Sequence, residues 1–236
     1  MGYDMSLSRI EFMRKTTEKS KNTRNEIYNS AVKLFQSHGY EETTMRMIAK
    51  EAGVSLGLAY YHFKSKDDIV FHFYELVQKE TEEESRKYCE INRDFRARVR
   101  HILKYKISQF MPHSNFLHVL AKLSGDPKSS LSPFSLESKD LRQREINSFS
   151  YAMKNTNQKF PDELEEVIPD LLWFLELGII YYCLYDQSEK KKHTYLLLDS
   201  ILLFFFQFLR MARLPFMKPL RKSFLEIYQL IKLSHN

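Results

Sequence analysis

Apolar residues recur at spacings of three and four along almost the whole chain, and only six glycines and seven prolines interrupt them in 236 residues. That period is one face of a 3.6-residue helix, and no stretch alternates with the period of two that a half-buried strand needs. The pattern therefore restricts the chain to an all-α fold of about nine to ten helices. Hydrophobic residues at 43% are enough to bury a core in one large or two small domains.

Helix signals divide the chain. Residues 1–22 carry Arg9, Arg14, Lys15, Lys19 and Lys21 against Asp4, Glu11 and Glu18 with little apolar periodicity, and read as a flexible basic arm. The first helix is expected from Thr23, where Thr23 and Glu26 have capping-box spacing, Ile27, Ala31, Leu34 and Phe35 form a stripe, and Gly39 supplies a left-handed stop. A short second helix follows Thr43 and Thr44, with Met45, Ile48, Ala49 and Ala52 on one face and Gly53 breaking it. Ser55 caps a third from Leu56 to about Phe63, and Ser65 with Asp68 opens a long fourth from Lys66 to about Glu90. Further helices are expected over about 94–111, 113–123, 133–159, 163–186, 191–213 and 218–234, with Pro169 either starting or kinking its helix and Ser124 to Ser135 the longest loop.

The second and third of these helices, joined through Ala52, Gly53 and Val54, make a helix-turn-helix in which Gly53 tolerates the positive φ of the turn. Such a unit lays its second helix in the DNA major groove. Ala59 and Phe63 stand one turn apart and can face a small core with Ile48 and Phe35. Gly57, Leu58, Tyr61 and His62 then fall on the outer side, where Gly57 allows close approach to the duplex. Lys64 and Lys66 suit phosphates, and the caps, Ser55 among them, can assist.

Over Thr23 to about Phe73 the chain resembles the TetR family through Gly39-Tyr40, Thr43-Thr44-Met45, Ile48-Ala49, Glu51-Ala52-Gly53-Val54-Ser55, Gly57 and the run Tyr60-Tyr61-His62-Phe63-Lys64-Ser65-Lys66. The resemblance implies a three-helix reading head at 23–68 on a helical ligand-sensing and dimerisation body at 69–236. It also implies Tyr60 and Tyr61 hydroxyls reaching phosphates or base edges, and Thr44 or Met45 meeting phosphate with Arg46 beside them. The activity implied is that of a repressor binding a palindromic double-stranded operator as a homodimer and released by a small-molecule effector. Leu56 and Leu58 depart from the family, whose members often have polar residues there. They leave fewer donors for bases and suit thymine methyl groups, so phosphate contacts and DNA shape should supply more of the specificity.

The net charge of +6 suits an anionic partner without naming it. Cys89 and Cys183 show neither a disulfide framework nor zinc spacing, and the polar N-terminus does not open like a secretion signal, so a cytoplasmic protein is expected. HExxH and phosphate-loop patterns are missing from the sequence, and His113 and His118 are badly spaced for one metal, so no enzyme, metal or cofactor is expected. The apolar runs Leu171 to Tyr185 and Tyr195 to Leu209 are about fifteen residues each, short of the roughly 20 that cross a bilayer; helices near 169–186 and 191–213 are expected at a homodimer interface, not in a membrane. A ligand pocket in the body is expected to draw on Tyr105, Phe110, Phe149, Trp173 and Glu176.

Overall fold

The structure, a computed structural model, describes residues 4–126 and 128–233; residues 1–3 of the expected arm, Pro127 in the expected loop and Ser234 lie outside it. Among the described residues there are eleven α-helices and no strand: α1 (Asp4–His38), α2 (Met45–Glu51), α3 (Leu56–His62), α4 (Lys66–Ile91), α5 (Phe95–Phe110), α6 (Ser114–Ser124), α7 (Lys139–Met153), α8 (Asp162–Glu165), α9 (Ile168–Tyr185), α10 (Lys192–Ala212) and α11 (Lys218–Leu233). They fall into two compact units, residues 1–72 and residues 73–236, with α4 contributing its first turns to one and the rest to the other.

Three boundaries differ from the sequence expectation. α1 begins at Asp4, so Thr23 lies inside a helix; its Oγ1 donates to the Lys19 carbonyl at 3.0 Å instead of capping. α7 is shorter than 133–159 because the segment before it folds through serine-held turns, with Ser132 N donating to the Ser129 carbonyl and Ser135 N to the Ser132 carbonyl. The helix expected over 163–186 is two: α8 stops after one turn, and Pro169, which has no N–H to give, sits in the first turn of α9.

In the first unit, Ile27, Ala31, Leu34 and Phe35 of α1 are buried together with Met45, Ile48 and Ala49 of α2 and Ala59 of α3. α2 ends in a Schellman turn: Val54 N donates to the Ala49 carbonyl at 2.9 Å and Gly53 N to the Lys50 carbonyl at 3.2 Å, with Gly53 at φ +66°.

In the second unit α9 is central and packs on α5, α6, α7, α8 and α10. Phe95, Val99, Ile102, Leu103 and Ile107 of α5 meet Phe149 and Ala152 of α7, Leu172, Trp173 and Ile179 of α9, and Leu198 and Leu202 of α10. Each large side chain so enclosed contributes on the order of 1.5–3 kcal/mol. The segments Ile168–Tyr185 and Glu189–Ala212 are long and apolar enough to cross a membrane by length and composition, beyond the fifteen residues read from sequence, yet one face of each is core. Their outer faces leave Phe174, Tyr181, Tyr182 and Tyr185 on α9 and Leu196, Leu203, Phe204 and Met211 on α10 exposed.

Arg98 ties together the ends of two helices and the turn after one of them. Its guanidinium is buried and donates to the carbonyls of Cys89 near the end of α4 (2.6 Å), Asn92 in the α4–α5 turn, and Ala152 (2.9 Å) and Lys154 (2.6 Å) at the end of α7. Helix C-termini leave carbonyls without partners, and one planar fork serves several of them here. Arg98→Ala is expected to lower stability by about 3 kcal/mol or more, since hydrogen bonds to a charged group are worth roughly 1.5–3 kcal/mol each. Arg98→Lys, with fewer donors in a different geometry, should recover only part of that in urea unfolding; unchanged unfolding of the alanine variant would refute the role.

Candidate functional site

The first candidate surface is built on α3. Thr44 Oγ1 accepts from Met47 N at the start of α2, and Ser55 Oγ accepts from Leu58 N at the start of α3, both at 3.2 Å, so each short helix opens on a side-chain cap. α3 divides by face as its period requires. Ala59 and, just beyond the helix, Phe63 are buried, with the Arg24 guanidinium 4.9 Å over the Phe63 ring; Gly57, Leu58, Tyr60 and Tyr61 are exposed, Tyr61 at 79% of its full area. Leu56 and His62 are half-buried, and burial followed by the nearby Arg24 charge lowers the His62 pKa, which leaves a neutral imidazole near pH 7.

Arg46 on α2 and Lys64 just after α3 are exposed. Among the described residues neither their charged groups nor the Tyr60 and Tyr61 hydroxyls form an internal hydrogen bond or ion pair. These donors are unspent, and with Leu58 and Gly57 they make one basic, aromatic and partly apolar surface around the exposed side of α3.

Three expected members sit differently. Met45 is buried, so only its backbone amide, at the N-terminus of α2, is available to an anion. Ser55 uses its hydroxyl as a cap. Lys66 donates to the Tyr40 carbonyl at 2.6 Å and lies 4.3 Å from the Tyr40 ring centroid, while the Tyr40 hydroxyl donates to Asp67. Lys66 thus locks the α1–α2 turn to the start of α4, and a phosphate would have to compete with those bonds. Nothing in the sequence spacing distinguishes it from Lys64; the difference arises from the turn that holds the buried Tyr40.

In the second unit the expected ligand residues do not converge on one point. Tyr105 stacks near His101, 6.4 Å between ring centroids, and faces the acidic outer side of α4: burial, then Glu80, Glu84 and Glu83, raise its pKa. Phe149 is core. Phe110 lines a mostly apolar cleft with Ile107, Met111, Leu117, Ile180, Cys183, Leu184 and Lys191.

Trp173 and Glu176 belong to a buried polar cluster that sequence reading found only in part. Trp173 Nε1 donates to Glu145 Oε2 at 3.0 Å; Lys106 Nζ donates to Glu145 Oε1 at 3.1 Å and to Gln78 Oε1 at 3.0 Å, and it is paired with Glu176. Gln78 in turn donates to Ser148 at 3.0 Å and to Glu82 at 3.1 Å, and Glu82 pairs with Arg144 at 3.2 Å. Burial opposes the charge on Lys106, but the two carboxylates outweigh it and raise its pKa. Burial raises Glu176 above the usual carboxylate range, against Lys106 and with Glu145 adding to the rise. The signal for Lys106 was available: it occupies the buried phase of the α5 stripe between Leu103 and Phe110, where an apolar residue belongs.

Comparison with known proteins covers both units. A family model described as bacterial regulatory proteins, tetR family, matches residues 27–73, and one described as tetracyclin repressor-like, C-terminal domain, matches residues 98–225. The chain is 40% identical over 65 residues to the HTH-type transcriptional regulator AcrR of Shigella flexneri, a stretch that spans 28% of this chain and 30% of that protein. The fold is similar to the TetR transcriptional regulator from Nitrosomonas europaea, with a TM-score of 0.63 at 16% identity over 77% of this chain and 96% of that one. It is also similar to Thermus thermophilus FadR, a transcriptional repressor solved with lauroyl-CoA, with a TM-score of 0.54 at 18% identity over 76% of this chain and 93% of that one.

Proposed function

The chain belongs to the TetR family of bacterial transcriptional regulators, and from that premise we propose that it is a cytoplasmic repressor that binds a palindromic operator as a homodimer and is released by a small molecule. The observation that carries the DNA-binding half of this reading is the exposed side of α3, where Leu58, Tyr60 and Tyr61 stand out from a capped helix beside the unspent charges of Arg46 and Lys64. Thr44, Gly57 and His62 complete the surface, with the Met45 amide and the Ser55-capped end of α3 offering N–H groups to phosphate.

Dimerisation is supported by the outer faces of α9 and α10. Phe174, Gly178, Tyr181, Tyr182 and Tyr185 fall on one stripe of α9, and Leu196, Ser200, Leu203, Phe204, Gln207 and Met211 on one stripe of α10; most of these side chains are apolar and all of the stripe is exposed. Two such faces meeting their copies about a twofold axis would form a four-helix interface. Release by a ligand requires an effector that binds one head spacing better than the other, since only differential affinity shifts a population. FadR in its complex shows that a protein of this fold holds a small molecule, and the polar cluster around Lys106 is where this chain has chemistry to offer one.

The test is retardation of a duplex carrying the promoter of the chain's own gene, with affinity falling as salt rises. Lys64→Ala should weaken binding evenly across sequences and reduce the salt slope by about one, as for a single phosphate contact; a loss confined to one base pair would contradict that part. Leu58→Ala should erase thymine preference at one operator position, a change of roughly 1–3 kcal/mol in discrimination, and an unaltered preference in a selection from random duplexes would refute the methyl contact. Phe204→Glu should shift the dimer to monomer in sedimentation while circular dichroism stays unchanged, because Phe204 is 70% exposed in the single chain; a dimer as tight as the parent would rule out the α9–α10 interface.

A further inference from the structure

Apart from the exposed side of α3 and the Lys106 cluster, the larger unit holds a second concentration of charge. A groove of about 370 Å³, the size of a small-ligand site, opens where the start of α5, the connection from α7 to α8 and the last turns of α10 come together. Arg96 of α5, Lys159 of the connection, Arg210 of α10 and Arg213 just after it line the groove against one carboxylate, Asp94. That carboxylate is engaged, since its Oδ1 caps α5 by accepting from Ala97 N at 2.7 Å. Among the described residues none of the four cations makes a hydrogen bond or ion pair. Arg96 helps to lower the pKa of Asp199, but Asp199 is bound by Arg100. A surplus of three positive charges gathered in one depression focuses field on an anion.

The floor of the groove is aromatic. Phe160 and Phe206, both half-buried, each meet the buried Phe95 ring edge to face, at 5.3 and 5.4 Å between centroids. Asn157 N donates to the Arg93 carbonyl at 3.1 Å, which pins the connection to the α4–α5 turn. Leu203, Phe206, Gln207 and Arg210 recur at helical spacing and bring one side of α10 to the groove. Gln158, in the same wall, has its Oε1 shielded from water without a donor, a cost that a small turn of the amide toward a bound N–H removes. No lining residue is shared with the Lys106 cluster or with the cleft at Phe110.

We propose that this groove is a nucleotide site and that its ligand is a nucleoside diphosphate. The two phosphates lie among Arg96, Lys159, Arg210 and Arg213, and the base covers the Phe160 and Phe206 floor. Three of the four cations are arginines, whose planar forks take phosphate oxygens in pairs. One charge on the inner phosphate and about 1.5–2 on the terminal one match the surplus on the walls. A bare anion leaves the rings uncovered, and the paired bases of a duplex present no free face to stack on them. Leu203 and Gln207 also belong to the α10 stripe proposed at the dimer interface, so a bound nucleotide borders that interface. The site itself draws on one chain and requires neither DNA binding nor a ligand at the Lys106 cluster.

The full-length protein is titrated in a calorimeter at low salt with ADP, adenosine and inorganic pyrophosphate, which separate the ring from the charge. ADP is expected to bind saturably and about tenfold or more tighter than either fragment, with affinity falling as salt rises. Lys159→Gln combined with Arg213→Gln, both at exposed positions, should weaken ADP and pyrophosphate about tenfold or more while circular dichroism stays unchanged. Phe160→Leu should weaken ADP about tenfold and leave pyrophosphate as it was. Pyrophosphate binding as tight as ADP, no heat from ADP, or undiminished ADP binding by the folded double variant overturns the inference. The comparison of the three probes on the unmodified protein decides the matter even where Phe160→Leu does not fold. Retardation of the promoter duplex by parent and double variant is measured alongside. Loss of retardation in the double variant, from a parent that binds no ADP, assigns the basic groove to DNA and overturns the nucleotide site. ADP binding by a protein that retards no duplex supports the inference and removes the repressor reading instead.

Discussion

A chain made only of helices must provide for the backbone groups that every helix end leaves unpaired, and in this protein that requirement governs where the turns can be. The solutions differ by place. The short helices of the reading head open on hydroxyl caps, Thr44 and Ser55, and α2 closes on a glycine in the left-handed region. In the larger unit charged side chains reach the ends instead. Arg98 gathers four carbonyls, Arg221 turns back to the carbonyl of Ala212 at the end of α10, and Asp186, buried behind α9, accepts from the N and Oγ1 of Thr194 and from the N of Ser188. Burial alone would raise the Asp186 pKa, but those hydrogen bonds hold it well below the usual carboxylate range. The same turn accommodates two successive lysines, Lys190 and Lys191, at positive φ, with the Lys191 ammonium bound to the Asp186 carbonyl at 2.8 Å.

The local devices were legible in the sequence, because a cap and its helix lie within four residues of each other. Thr44, Ser55, Ser65, Gly39 and Gly53 all do in the structure what their spacing announces. So does the division of α3 into a buried Ala59 and an exposed Leu58, Tyr60 and Tyr61. The same logic failed at Thr23, where capping spacing occurs inside a longer helix and the hydroxyl turns back on the preceding turn. A threonine offers the same bond to either arrangement, and only the residues upstream decide which is made.

What spacing could not disclose is convergence across the chain. Lys106, Glu145 and Glu176 lie on three helices, and a glutamate on α9 or α7 gives no sign of which cation it will meet. Yet charged residues in the buried phase of an amphipathic stripe are a usable warning. Arg98 and Lys106 both lie in that phase of α5, and each proves to be the centre of a hydrogen-bonded cluster. One satisfies backbone and stabilises the unit. The other joins an amide and two carboxylates from three further helices, Gln78 on α4, Glu145 on α7 and Glu176 on α9.

Carbon on the exposed side of α3 also bears on which chemical marks a DNA reader notices. A side chain that hydrogen-bonds in the major groove separates thymine from cytosine by O4 against the N4 amino group, whereas the exposed Leu58 has only methyl groups to offer and, in the proposed reading, would meet the C5-methyl of thymine. Cytosine methylated at C5 presents that same methyl at the same point of the groove. A leucine reader would be drawn to it where a polar reader would be indifferent, so under the proposed contact the methylation state of an operator would become part of the text this helix reads.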